Sequence, residues 1–159
     1  MSIEKVRSYF EEHGFAERII EFAVSSATVA LAAQALGCEE ERIAKTLSFM
    51  TENGQILIVA AGDVKVDNPK YKAAFGCKAK MLTHEQAECL IGHAVGGVCP
   101  FAVHDGVSVY LDESLRRFET VFPACGSSNS AIELTLPELE WLAKPLGWVD
   151  VCKQKANLG

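Results

Sequence analysis

The stretch 41–62, ERIAKTLSFMTENGQILIVAAG, decides how the rest of the chain is read. KTLSFM, TENG and QILIVAAG together predict a β-hairpin, with Asn53-Gly54 supplying the positive φ angles that tight hairpin turns need. QILIVAA is a nearly unbroken apolar run, which predicts a strand covered on both faces. Lys45 and Thr46 stand between an apolar pair, Ile43 and Ala44, and the core-directed Leu47, Phe49 and Met50. From the pattern alone, Lys45 is either a solvated lysine at a strand edge or a charge at the rim of a pocket.

Upstream, Val29, Ala32, Ala33 and Leu36 form an i, i+3, i+4, i+7 stripe. That predicts a helix with Thr28 as its N-cap and Gly37 closing it, followed by an acidic turn over 39–42. Residues 2–12 predict an amphipathic first helix ending before Gly14. Downstream, DNPKYKAAFG reads as a helix capped by Asp67 or Asn68, with Pro69 early and Gly76 just after. AKMLT reads as a short strand, and THEQAECLIG as a helix with Thr83 and Gln86 in capping-box spacing. Then come a loop, the strand VSVYLD, a short helix near 113–117, and strands at ETVFPA and SAIELT. The helix LPELEWLAKPLG, with Thr135 and Glu138 as a second capping box, leads to a last strand, WVDVC. Hairpin signals are frequent and regular βαβ alternation is lacking. The expected fold is α+β, a single compact domain over 1–159 with a mixed or barrel-like β-sheet flanked by helices.

The 159 residues show no repeat, linker or apolar run near the ~20 residues that span a bilayer. The first residues lack the apolar core of a signal peptide, so a cytoplasmic location is expected, with no membrane partner. Six cysteines without CxxC spacing argue for small buried hydrophobes rather than a zinc site or disulfides. His84 and Glu88 are an i, i+4 pair lacking a third ligand, so no metal is expected. The net charge of −6 opposes bulk nucleic-acid affinity. Yet 65–80 holds Lys65, Lys70, Lys72, Lys78 and Lys80 against Asp67 alone, either a solvated face or a phosphate-contacting patch.

No Walker A, GxGxxG, HExxH or GxSxG signature is present. Two small-residue loops stand out. In GHAVGGVCPFAVHDG, Gly96-Gly97 and then Cys99-Pro100 form a bend whose N–H groups could cradle an oxygen, or a plain connecting turn. Cys99 with His93 or His104 could form a nucleophile pair, or be a packed thiol. In PACGSSNSAIEL, Gly126, Ser127 and Ser128 bring hydroxyls and N–H groups between two strands, as many turns do.

Taken in order, TVALAAQALGCEEERIAKTLSF, GGVCPF and CGSSNSAIELTLPELEWL make the chain resemble the YbaK/EbsC family. Its members are free-standing relatives of the editing domain inserted in bacterial prolyl-tRNA synthetases. The resemblance implies a deacylase that hydrolyses the ester of a mischarged aminoacyl-tRNA, typically on proline tRNA, with no metal or organic cofactor. It implies the tRNA acceptor end as partner, with prolyl-tRNA synthetase a further candidate; oligomeric state is left open. Lys45 becomes the signature pocket cation, with Thr46 beside it, and the N–H groups of Gly96 and Gly97 become oxyanion donors. Cys99, Pro100, Gly126, Ser127 and Ser128 become walls that bind the aminoacyl group or ribose. The alternatives are a silent family member that binds tRNA or a synthetase, and a hydrolase centred on Cys99. Relatives that remove alanine often carry a histidine in the late glycine loop; here no histidine follows His104. Cys99 also stands where small or hydroxyl residues are common. The amino acid released is therefore left open.

Overall fold

In the computed structural model, which describes residues 2–94 and 96–155, the hairpin at 41–62 is the centre of a mixed six-stranded sheet. Met1, Val95 and 156–159, part of the unit expected over 1–159, lie outside the described residues. β2 (Ile43–Thr51) and β3 (Gly54–Ala61) pair antiparallel from Ala44↔Ala61 to Thr51↔Gly54. Among the turn residues only Gly54 has positive φ, at 114°. The expectation for Asn53 is corrected: Thr51 Oγ1 accepts from Asn53 N–H and donates to Gly54 O, closing the turn without a strained asparagine.

β3 is central, and Ile56 to Ala61 are all buried, as its unbroken apolar run requires. It pairs in parallel with β5 (Ser108–Asp112), which pairs in parallel with β9 (Gly147–Val149). On the other side β2 runs parallel to β6 (Thr120–Pro123), and β6 antiparallel to β8 (Leu134–Thr135). The sheet curls into a half-barrel. Two short pairs close its margins: β1 (Ile20–Glu21) with β7 (Ser130–Ala131), and β4 (Val64–Val66) with β10 (Cys152–Gln154).

The helices form where their caps predict. α1 (Ser2–His13) buries Val6 and Phe10, and Phe10 meets Phe101 edge-on at 4.9 Å. α2 (Val29–Leu36) is capped by Thr28 and closed by Gly37 at φ 70°. α3 (Asn68–Phe75) is capped by Asp67, and α5 (Leu136–Ala143) starts on the Thr135–Glu138 box. The Thr83–Gln86 box starts α4 (His84–Gln86), but the chain then widens into a π turn over Ala87–Ile91.

Three expected strands are corrected. AKMLT makes only a single bridge, Met81 to Phe49, because it meets β2 at one crossing. SAIELT splits into β7 and β8, which serve different sheets. WVDVC breaks at Asp150–Val151, where Val151 N–H donates to the buried Asp112 carboxylate at 3.0 Å. Three of the six cysteines are buried rather than most: Cys38 and Cys77 are half-buried, Cys89 is exposed, and none is in a disulfide.

Candidate functional site

The outer edge of β2 has two neighbours that do not meet. β6 pairs with it only at Ile43 and Ala44. The 80–82 segment pairs with it only at Ser48–Met50, through Met50 N–H to Lys80 O (2.8 Å) and Leu82 N–H to Ser48 O (3.1 Å). Between them the edge from Lys45 to Leu47 is open, and a cleft of about 390 Å³ lies there. That is why consecutive residues Ile43 to Ser48 all line it, although side chains of a strand alternate in direction. A cleft of this volume is in the range of small-molecule sites.

Three loops wall the opening. Ser26 N–H donates to Ser128 O at 2.6 Å, and Asn129 Nδ2 to Phe22 O at 3.0 Å, stitching the segment before α2 to the late glycine loop. A Cβ on Gly97 would lie 2.7 Å from Gly126 C and from Ser127 N, so the two glycine loops touch only because residue 97 has no side chain. Gly96, at φ 94°, faces Ala27 and Ser128. Gly62 plays a similar part below: a Cβ there would meet Glu40 O at 2.0 Å and Val29 Cγ1 at 2.7 Å.

Lys45, Thr46 and Gly96 therefore come together in one cleft. The Lys45 ammonium is half-buried and donates to Val64 O. Burial, and then the neighbouring Lys155, pull its pKa below the ordinary lysine value, while Cys152 and Asp63 act in the opposite sense. An ammonium has three donors, so two remain for a ligand. The Thr46 hydroxyl is buried with no hydrogen-bond partner among the described residues.

The other expected residues are placed differently. Gly97 N–H is committed to Ala94 O at 3.0 Å, which corrects the expectation that it is a free donor; its part here is to let the loops close. Gly126, Ser127 and Ser128 stand behind the lining, which Ala124, Ser130 and Ala131 provide from the same loop region. Ser127 Oγ donates to Asn129 Oδ1 at 2.9 Å and lies 2.7 Å from Ser130 Oγ, so its bonds hold the loop's shape.

Cys99 and Pro100 are buried outside the lining, in which this loop is represented by Gly96 and Val98. The Cys99 thiol lies 3.6 Å from His93 Nε2, but that nitrogen also sits 2.7 Å from Phe101 O and so carries the proton. Burial pushes Cys99 up to about 12 and His93 down. A protonated, enclosed thiol beside a nitrogen already donating is no nucleophile pair. The Cys99-centred reading therefore has no support in this geometry.

Of the five lysines, Lys70 is engaged with Asp150 at 3.0 Å and with Cys152 O at 3.0 Å. Lys65, on β4, sits opposite Lys153, and Lys72 is exposed on α3. Lys78 and Lys80 are exposed just before Met81, which lines the cleft. The sequence reading missed Ser26, Ser48, Met81, His84 and Ser130, all in the lining. Only the Thr83 cap hinted at His84, by fixing where its helix begins. Neither Asp, Glu nor Cys lines the cleft, and no three such groups or histidines cluster as metal ligands among the described residues.

An α+β half-barrel carrying an ammonium, an open strand edge and a small-residue wall defines a protein with one lysine-bearing cleft among its described residues. Comparison with known proteins makes the class specific. The pattern of the aminoacyl-tRNA editing domain matches residues 24–142, and the chain belongs to that family. It is 52% identical over 154 residues to the uncharacterized protein YwhH of Bacillus subtilis strain 168, covering 96% of this chain and 98% of that one. It is 28% identical over 131 residues to proline–tRNA ligase of Halalkalibacterium halodurans, covering 82% of this chain but 22% of the ligase. The chain thus spans about a fifth of such ligases. A crystal structure of a protein proposed to be a trans-editing enzyme for prolyl tRNA synthetase superposes with a TM-score of 0.85 at 30% identity, covering 98% of both chains. That of protein APE2540 does so at 0.83 and 27%, covering 94% of this chain and 99% of that one. Among the described residues no helix is long and apolar enough to cross a membrane.

Proposed function

We propose that this chain hydrolyses the ester of mischarged aminoacyl-tRNA, acting in trans on proline tRNA, without a covalent protein nucleophile. The observation that carries the reading is the cleft on the open edge of β2. Among the described residues it holds one ammonium, one imidazole (His84), several hydroxyls and no carboxylate or thiol, which suits stabilising charge on a substrate oxygen better than supplying a thiol or carboxylate nucleophile. Water attacks the ester carbonyl, and its oxygen bonds to the carbonyl carbon. The oxyanion that forms is held by Lys45 and the Gly96 N–H. The bond to the ribose oxygen then breaks, that oxygen takes up the proton that the attacking water has given up, and the free amino acid departs with the water's oxygen in its carboxyl group. Thr46 contacts the aminoacyl group, and Gly97 with Gly126, Ser127 and Ser128 hold the wall in place. Lys78 and Lys80, exposed just before Met81, are the lysines of this segment that we assign to the phosphates entering the cleft; Lys65 and Lys72 precede them in the chain, and Lys70 is already paired.

The test is hydrolysis of proline tRNA charged with alanine, cysteine, serine, threonine or a small non-protein amino acid, by the wild type and Lys45→Ala. At least one ester should be cleaved. Lys45→Ala should lose on the order of 10²–10³ in rate while its melting temperature stays close to that of the wild type. No cleavage of any ester would overturn the enzyme reading, and an equally active variant would remove Lys45 from it.

A further inference from the structure

The open edge of β2 has a polarity that the two flanking pairings fix. Met50 N–H and Ser48 C=O both bond to the 80–82 segment, so residues 48 and 50 point their main-chain groups away from β3. The register with β3 runs without a bulge from Ala44 to Thr51, so direction alternates regularly along β2. Thr46 therefore aims its own N–H and C=O outward as well, into the gap where β6 has stopped and 80–82 has not begun. No group among the described residues bonds either of them. An unpaired N–H and C=O side by side on an open strand edge are a template for a ligand that carries the complementary pair.

We infer that Thr46 docks the aminoacyl group as one residue of an added antiparallel strand. In an antiparallel ladder two facing residues exchange both N–H···O=C bonds. An aminoacyl ester carries the required pair on a single α-carbon, an ammonium donor and a carbonyl acceptor. Its ammonium donates to Thr46 C=O, and its ester carbonyl accepts from Thr46 N–H. This is strand addition reduced to one residue. The same N–H then faces the oxygen on which charge develops when water attacks, beside the Lys45 ammonium. The site selects α-aminoacyl esters over plain acyl esters whatever the side chain, because both contacts involve atoms common to every α-amino acid. The side chain is left to the small-residue wall. This inference rests on the ester-hydrolase reading and adds the group that recognises the substrate's amino end.

Two non-hydrolysable probes separate this inference from that reading: 3′-deoxyadenosine carrying alanine, or propionic acid, through an amide at the 3′ position. The alanyl probe should bind at least about tenfold more tightly, since the propionyl probe lacks only the ammonium. In semisynthetic protein, the amide between Lys45 and Thr46 is replaced by an ester, which deletes the Thr46 N–H. That change should lower melting temperature less than the same replacement between Thr46 and Leu47, whose N–H bonds to β3. It should also weaken alanyl-probe binding and lower hydrolysis on the order of 10². Equal binding of the two probes, or an ester at 46 as destabilising as the one at 47, would overturn the inference even if esters are hydrolysed. Selective binding of the alanyl probe without hydrolysis of any ester would support the docking while overturning the hydrolase reading.

Discussion

Glu138 shows how much one side chain can do at a joint between distant parts of the chain. Its carboxylate accepts from Arg18 Nη1 at 2.8 Å and Nη2 at 3.0 Å, and from Thr135 N–H at 2.9 Å. Arg18, which follows α1, thus holds the start of α5, and it also donates to Glu133 O at 2.7 Å. Chiefly because of Arg18, the Glu138 pKa falls from an ordinary 4.5 to about 2. A depressed carboxylate contributes stability above its unfolded value and loses it as pH falls through its folded value. Glu138→Gln should therefore cost about 1 kcal/mol at neutral pH, a figure reduced for the partial exposure of both partners. In denaturant titrations the gap from the wild type should close between about pH 4.5 and pH 2. A gap independent of pH would mean that packing, not charge, makes the joint. Lys45 is the opposite case: burial disfavours its charge, yet the chain keeps a lysine there, which fits a role in the cleft rather than in stability.

At the scale of elements, the site is made by loops that a missing side chain allows to touch. Gly97→Ala would place a methyl 2.7 Å from main-chain atoms of Gly126 and Ser127, which cannot swing aside as a flexible side chain would. The expected cost is about 1–3 kcal/mol, together with reduced hydrolysis as the late loop shifts. Gly147→Ala is the control, since a methyl there meets nothing within 4 Å. Equal melting temperatures for the two variants would show that the loops do not depend on that contact. The caps of α2, α3, α4 and α5 were legible in the sequence because each rests on residues within three or four positions of one another. The single bridge at Met81 and the break at Asp150 were not, because each is set by a distant partner, β2 in one case and Asp112 in the other.

Across the whole molecule, a net charge of −6 coexists with the lysine-rich 65–80 segment. The fold divides that segment: Lys70 is neutralised by Asp150, while Lys78 and Lys80 lead into the cleft rim. Binding of tRNA, followed by fluorescence anisotropy over a salt series, should lose about one unit of log–log salt slope in Lys80→Ala and none in Lys70→Ala. The same slope in the wild type and both variants would return the segment to a solvated face. The sequence by itself determined the hairpin, the helix caps and the family resemblance, because turn chemistry, capping and alternation act between near neighbours. It also singled out Lys45, Thr46 and the two glycine loops. Only the tertiary structure decided that Gly97 closes the wall rather than donating, that Cys99 is packed away, and that Met81 and His84 enter the cleft. It alone left the Thr46 main chain unpaired. Where β6 stops and the 80–82 segment begins is fixed by pairings between residues far apart in the chain, and no local pattern records the gap they leave.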